Sequence, residues 1–173
     1  MPEYIEEFDN VLGQVFWEFS SFLYLCYNDF KSNEMLHSIL KTSERIHVRN
    51  LVCFFSDSKK QSDDLIYLDI LKETKPLNID ISQELKIFLN KNTAHLSKKR
   101  GKLIYPDDEY IEVKKSLVKA IYRFISELDN GNINSEYKKQ VNNKTVNRIK
   151  SGVLFHIIQI KSINDKRGVR LEL

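Results

Sequence analysis

Apolar side chains recur every three or four residues through most of this chain, which is the spacing of one face of an α-helix. Apolar residues surround almost the whole of the first segment between Phe16 and Tyr27, as in a helix that is buried on several sides. Glycine and proline are scarce, which favours long helices over a many-turned β-fold. The pattern predicts four long helices, at residues 2 or 9 to 29, 34–55, 80 or 82 to about 100, and 109–128, and a short apolar turn or helix at 65–71.

The pattern changes after the turn-forming residues 129–134, where β-branched and aromatic residues become more frequent. Residues 153–160 and 169–173 are predicted to pair as a β-hairpin. Because two strands alone are marginally stable, the hairpin is expected to pack on the helices or on a second subunit. The sequence therefore predicts a mainly α helical bundle over residues 1–130 and a basic C-terminal extension with a β-hairpin over 131–173.

Two of the predicted helices carry a histidine on the apolar face. His95 follows Phe88 by seven residues, so both side chains point in the same direction. His47 lies on the inward stripe of the second predicted helix. A buried imidazole requires a polar partner, so we expect the two helices to meet at a polar core cluster. This predicted cluster consists of Glu44, His47, Asn50, Asn92 and His95.

Two interpretations of the cluster follow from the residues themselves. In the first, it is structural, and Glu44 or Asn92 bonds to the rings. In the second, Glu44 and His47 bind a metal, since a glutamate and a histidine three residues apart occur in di-iron helical bundles. A second Glu-x-x-His pair and two further inward glutamates are missing, so neither a metal nor another cofactor is predicted. Asp63 and Asp64 are interpreted as helix caps and loop charges before a metal pair.

Composition indicates a single cytoplasmic domain. The N-terminal decapeptide MPEYIEEFDN is acidic, unlike the basic start of a secretory signal. The longest apolar run, residues 15–27, is interrupted by Glu18 and is shorter than the roughly 20 residues of a membrane span. No membrane contact is expected. Cys26 and Cys53 lie within apolar helical runs and are expected to be buried, reduced thiols.

Charge is distributed unevenly along the chain. Residues 1–31 contain six acidic residues and one lysine, whereas residues 134–173 contain nine basic and three acidic residues. The basic tail is expected to contact phosphates or the acidic end of a second copy. Lys98, Lys99 and Arg100 lie three to five residues after His95. They suit the negative end of a helix dipole before Gly101, and Lys98 and Lys99 also lie within reach of an anion held beside His95.

Three motifs together resemble a family of small bacterial proteins and, more distantly, the HEPN (higher eukaryote and prokaryote nucleotide-binding) helical bundles. They are HVRNLVCFF at residues 47–55, the pair Asp63 and Asp64, and NKNTAHLSKKR at 90–100. The resemblance covers residues 35–126. It implies an up-and-down bundle of four to five helices that is often dimeric.

The catalytic HEPN proteins are metal-independent endoribonucleases with an Arg-x4-6-His motif, and two copies of the motif form one composite site. Here Asn90 and His95 have that spacing, with asparagine in place of arginine. By resemblance, His95 would act as the general acid or base, and Lys91 or Lys98 would supply the cation that the transition state requires. Arg49, about 200° around its helix from His47, is expected to assist from the second helix.

The sequence therefore leads to two hypotheses. The preferred one is a HEPN-like binding module in the bacterial cytoplasm that self-associates, with RNA or another protein as candidate partners. The alternative is a metal-independent endoribonuclease of the toxin or phage-defence type, with its site around His95 at a dimer interface. Lys98, Lys99, Arg100 and Arg49 are the candidate binding residues.

Overall fold

The structure, a computed structural model, is mainly helical in the residues that it describes. These are residues 10–27, 34–57, 59, 61, 63–72, 75–93, 107–141, 144, 146, 147, 150, 151, 153 and 154, with the backbone alone for Tyr27 and residues 91–93. Six helices lie in this part of the chain: α1 (Val11–Tyr27), α2 (Glu34–Phe54), α3 (Tyr67–Ile70), α4 (Gln83–Thr93), α5 (Asp107–Asp129) and α6 (Ser135–Lys138). The predicted mainly helical class is confirmed.

The four long helices alternate in direction. Glu18 in α1 contacts His47, whereas Cys26, two turns later, lies near Lys41, so α1 and α2 are antiparallel. In α4, Phe88 lies under Arg45 of α2, while Ile79, before α4 begins, bonds to the carbonyl of Phe55 beyond the end of α2. Helix α4 therefore runs back along α2.

Helix α5 runs in the same direction as α2. Its early residue Lys114 bonds to Glu44, and its later residue Phe124 contacts Phe54 and Phe55 at the other end of α2. The resulting order is up, down, up and down for α1, α2, α4 and α5.

A group of phenylalanine rings occupies the centre of the bundle. Phe19 of α1 stacks on Phe55 with 5.9 Å between the ring centroids and meets Phe124 of α5 edge-on at 5.6 Å. All three rings are fully buried. Each ring contributes a large apolar area to the core, and the mixture of stacked and edge-on contacts is the arrangement that aromatic pairs prefer. The inward stripe predicted for α5 is buried throughout: Tyr110, Val113, Leu117, Ile121, Phe124 and Leu128.

Local polar contacts fix several helix ends. Ser82 caps α4, as predicted, because its Oγ accepts a hydrogen bond from the backbone N–H of Leu85 at 3.1 Å. The backbone N–H and the hydroxyl of Ser82 both donate to Glu109 of α5 at 2.6 Å, which ties α4 to α5. Helix α3 begins differently from the prediction. Its cap contact is from the Ile66 N–H to Asp69, while Asp64 closes a turn with the Gln61 N–H.

The described part of the C-terminal region packs against the bundle. Gly131 turns the chain with a φ of 74°, which favours glycine. Beyond it, the N–H of Asn134 donates to the carbonyl of Ile70, and Gln140 accepts a hydrogen bond from the Leu12 N–H. Ile133, Tyr137, Val146 and Val153 belong to the same hydrophobic core as the four long helices.

The predicted β-hairpin is not seen where it overlaps the described residues. Val153 and Leu154, expected at the start of the first strand, are helical. Val153 lies seven residues after Val146, and both are buried, so this segment places its apolar residues at helical spacing. The remainder of the predicted hairpin lies outside the described residues. Among the helices that are described, none has the length and apolar character needed to cross a membrane.

Candidate functional site

The interface between α1 and α2 contains a polar group that we call the Glu18 cluster: Trp17, Glu18, His47 and Asn50. Glu18 Oε1 lies 2.9 Å from Nδ1 of His47 and 3.0 Å from Nδ2 of Asn50, which donates to it. The side chains of His47 and Glu18 are 8% and 16% exposed. Because an ionised carboxylate can only accept, Glu18 places the ring proton of His47 on Nδ1.

Trp17 connects this cluster to the surface of the protein. Its indole ring meets the His47 ring edge-on with 5.4 Å between centroids, yet 49% of the Trp17 residue is exposed. The imidazole is thus enclosed by a carboxylate on one side and an aromatic ring on the other. The imidazole of His47 packs against the inner side of the Trp17 ring. The Glu18 cluster therefore supports the exposed indole of Trp17.

A second polar group lies deeper, between α2 and α5, and we call it the Glu44 cluster: Lys41, Glu44 and Lys114. Glu44 is 1% exposed. Its two carboxylate oxygens accept separate bonds, one from Lys114 Nζ at 2.7 Å and one from Lys41 Nζ at 2.8 Å. A buried carboxylate without partners would be very costly, so these two ammonium groups are what allow Glu44 to be inside the bundle.

Charge and burial act in opposite directions on the titratable groups here. Burial favours the neutral acid of Glu44, but the charges and hydrogen bonds of Lys114 and Lys41 outweigh it and hold the pKa of Glu44 below its ordinary value. Burial raises the pKa of the nearby Cys26 thiol to about 12. Cys26 is therefore a protonated, unreactive thiol at neutral pH. Neither Cys26 nor Cys53 forms a disulfide, and both residues are partly buried.

An apolar surface covers the outer side of α1 and α2, and we call it the α1–α2 apolar surface. Six of the ten large apolar side chains that are exposed among the described residues are on these two helices. Trp17 and Tyr24 lie seven residues apart on one side of α1. On α2, Ile39 and Ile46 are likewise seven residues apart, and Trp17 contacts His47, the residue after Ile46. The members are Trp17, Tyr24, Met35, Leu36, Ile39 and Ile46.

A cavity of about 330 Å³ lies beside α2 and is lined by the end of α2, residues 78–81 and α4. Arg49 and Asn90 both line it. The sequence assigned Arg49 to binding and Asn90 to the alternative catalytic site, and the fold brings the two to one place. Asn90 is exposed, whereas Arg49 is half-buried.

The predicted polar core cluster is divided by the fold. His47 is buried, as expected for an inward ring, and Asn50 joins it through Glu18. Glu44 instead contacts Lys114 and Lys41. His95, Lys98, Lys99 and Arg100 lie outside the described residues, as do the side chains of Lys91 and Asn92. The meeting of His47 and His95 therefore stays a prediction.

Two residues that complete these clusters were not predicted as site residues. Glu18 was noted only as an interruption of an apolar run, although a lone carboxylate in such a run signals a buried partner on another helix. Helical spacing predicts Lys114 mostly on the outward side of the fourth long helix, but its side chain is 21% exposed and reaches the buried Glu44. Its long apolar stem allows it to cross the helix surface, and its ammonium lies 5.1 Å from the Tyr110 ring.

The described residues contain no group of three or more His, Cys, Asp or Glu side chains that could hold a metal ion. Comparison of the chain with models of protein families, with curated proteins and with solved structures finds no match. A proposal for the function therefore rests on the two polar clusters, the α1–α2 apolar surface and the cavity.

Proposed function

We propose that this chain is a HEPN-like binding module that self-associates through the α1–α2 apolar surface. The observation that carries the proposal is the concentration of exposed apolar side chains on that surface. Trp17, Tyr24, Met35 and Ile39 are 49%, 57%, 75% and 55% exposed. Contiguous apolar patches of this kind mark interaction sites on soluble proteins, and aromatic residues and methionine are enriched in interfaces.

A second copy of the chain is the partner that this surface fits best. A two-fold dimer brings the same surface of each subunit together, so a charged patch would repel itself. Among the polar residues on this side of the two helices, Gln14, Ser21 and Ser43 are neutral. The carboxylate of Glu18 is already bonded to His47 and Asn50, so it adds little repulsion. The cytoplasmic location and the bacterial source predicted above are part of the same proposal.

Sedimentation equilibrium over a range of concentrations tests self-association. We expect a dimer in the unmodified chain and a monomer in Ile39→Glu, because a two-fold axis places two new carboxylates in one apolar interface. Ile111→Glu is the matched control, since Ile111 is similarly exposed but belongs to α5. A chain that stays monomeric at every concentration, or an Ile111→Glu variant that dissociates equally, would contradict the proposal.

Trp17 offers a second measurement because it is the only tryptophan in the sequence. It is half-exposed in the single chain, so dimer formation should move its fluorescence emission to shorter wavelength as water is excluded from the indole. The shift is expected to follow the same concentration dependence as sedimentation, and to be absent in Ile39→Glu. A constant emission spectrum across the dimerisation range would place the interface elsewhere.

The endoribonuclease hypothesis is the second candidate, and one observation favours it. Asn90 occupies the arginine position of the HEPN motif, and Arg49 from α2 lines the same cavity as Asn90. In this candidate, Arg49 would supply the guanidinium that the motif lacks in its own helix. The general acid or base of this candidate is His95, five residues after Asn90.

Incubation with total RNA in EDTA tests this candidate. Cleavage by the unmodified chain that is lost in both His95→Ala and Arg49→Ala, but retained in His37→Ala, would establish the endoribonuclease. His37 is a suitable control because it is a partly exposed histidine in the first turn of α2. An RNA profile that is the same with and without the protein would reject it.

A further inference from the structure

The cavity between α2 and α4 has walls of mixed character. Apolar side chains from α2, from residues 78–81 and from α4 form its middle: Val52, Ile79, Ile81 and Leu89. Charged and amide side chains surround them. The volume, about 330 Å³, is at the lower end of the range for small-molecule sites, which is roughly 300–1,000 Å³.

The charges are separated along the cavity. Arg49 and Asp57 both line it: Arg49 lies five residues before Phe54, the last residue of α2, which is about 7.5 Å along the helix, and Asp57 lies beyond that end. Since α4 runs back along α2, Asp80 before the start of α4 lies at the Asp57 end, and Asn90 lies at the Arg49 end. One end therefore presents a guanidinium and an amide, and the other presents two carboxylates.

The side chains at the acidic end are oriented by the fold. Tyr67 donates its hydroxyl to Oδ1 of Asp57 at 2.8 Å, which fixes that carboxylate and leaves Oδ2 for another donor. Asp80 follows Ile79, whose N–H is bonded to the carbonyl of Phe55 at 3.2 Å. Asp57 and Asp80 therefore both lie beside the end of α2. Lys86, one helical turn before Asn90, lines the cavity between the two ends.

We propose that this cavity binds a short peptide with free termini, its carboxylate at Arg49 and Asn90 and its ammonium at Asp57 and Asp80. Guanidinium groups bind carboxylates through paired hydrogen bonds, and carboxylates bind ammonium groups. An extended chain spans at most about 3.3–3.6 Å per residue, so a tripeptide reaches roughly 10 Å, farther than the roughly 7.5 Å from Arg49 to the last residue of α2. The apolar middle receives the side chains. The two aspartates oppose a polyanion lying along the cavity, which favours a zwitterion over a nucleic acid strand.

This inference does not depend on self-association. None of the six members of the α1–α2 apolar surface lines the cavity. Failure of the peptide site would leave the interface intact, and a monomeric chain would still have the cavity.

Calorimetric titration with trileucine, N-acetyl-trileucine and trileucine amide tests the proposal. We expect the free tripeptide to bind about tenfold more tightly than either blocked form, because each block removes one charged contact. Failure of free trileucine to bind, equal binding of the three peptides, or binding of inorganic phosphate in its place would overturn the proposal.

Two variants test which end of the cavity binds the peptide carboxylate and which end binds its ammonium. Arg49→Gln should lose the discrimination against trileucine amide and keep that against the acetylated peptide, whereas Asp80→Asn should show the reverse. Lys72→Gln, an exposed change outside the cavity lining, should retain both. A misfolded variant would lose both discriminations together, so the crossed pattern is specific to the proposed orientation. Loss of the same discrimination in both variants would overturn it.

Discussion

The Glu18 and Glu44 clusters each place a carboxylate inside the bundle, but they satisfy it in different ways. Glu44 is neutralised by two lysines, one from its own helix and one from α5. Glu18 is satisfied by an imidazole and an amide, both from α2, and its cluster ends at the exposed Trp17. The Glu44 cluster joins α2 to α5 and includes no residue of the α1–α2 apolar surface. The Glu18 cluster connects the core to the α1–α2 apolar surface. Disruption of the Glu44 cluster should therefore lower stability alone, whereas disruption of the Glu18 cluster should also change that surface.

The largest effect is expected from Lys114→Met. This change leaves the buried Glu44 with Lys41 alone, and breaking a buried ion pair by removal of one partner costs several kcal/mol. Because Lys41 remains bonded, we expect the free energy of unfolding to fall by about 2–3 kcal/mol, measured by urea denaturation at pH 7.

Lys115→Met is the matched control for this variant. Lys115 is the next residue and forms an ion pair of the same 2.7 Å length with Glu112, but that glutamate side chain is 69% exposed. A surface pair of this kind contributes roughly 0–1 kcal/mol. Equal losses in the two variants would mean that the Glu44 cluster does not hold α2 to α5.

The acid dependence of stability should report the same cluster. The folded-state pKa of Glu44 lies below its ordinary value of 4.5, so its contribution to stability is fully present above that value. The contribution is lost as the pH falls through the lowered pKa. Urea denaturation at pH 6 and pH 3 should therefore show a smaller difference in Glu44→Gln than in the unmodified chain. An identical difference in the two proteins would contradict the pKa shift.

The contrast between the clusters also explains which features could be predicted from the sequence and which could not. Helical periodicity predicted the burial of His47 and of the α5 stripe, and Ser82 was recognisable as a cap, because these depend on spacing within one helix. The partners of Glu18 and Glu44 depend on which helices become neighbours, and periodicity does not specify that. Lys114 was predicted to point outward because lysine is charged. Its long, flexible side chain nevertheless allows the ammonium to reach the buried Glu44. Val153 has a β-branched side chain, yet the core that it joins through Val146 overrides that preference.

Glu18→Ala is expected to lower stability less than Lys114→Met does, although its effect on the surface should be the clearest. The change leaves the His47 and Asn50 donors without their acceptor, at a cost of about 1–2 kcal/mol. Since His47 packs against Trp17, the native-state fluorescence of Trp17 should also change, whereas Lys114→Met should leave that fluorescence unaltered. Glu18→Gln, which retains an acceptor oxygen, should recover most of both signals. Fluorescence that is unchanged in Glu18→Ala would show that Trp17 is positioned by other contacts, and the Glu18 cluster would then be a structural tie like the Glu44 cluster.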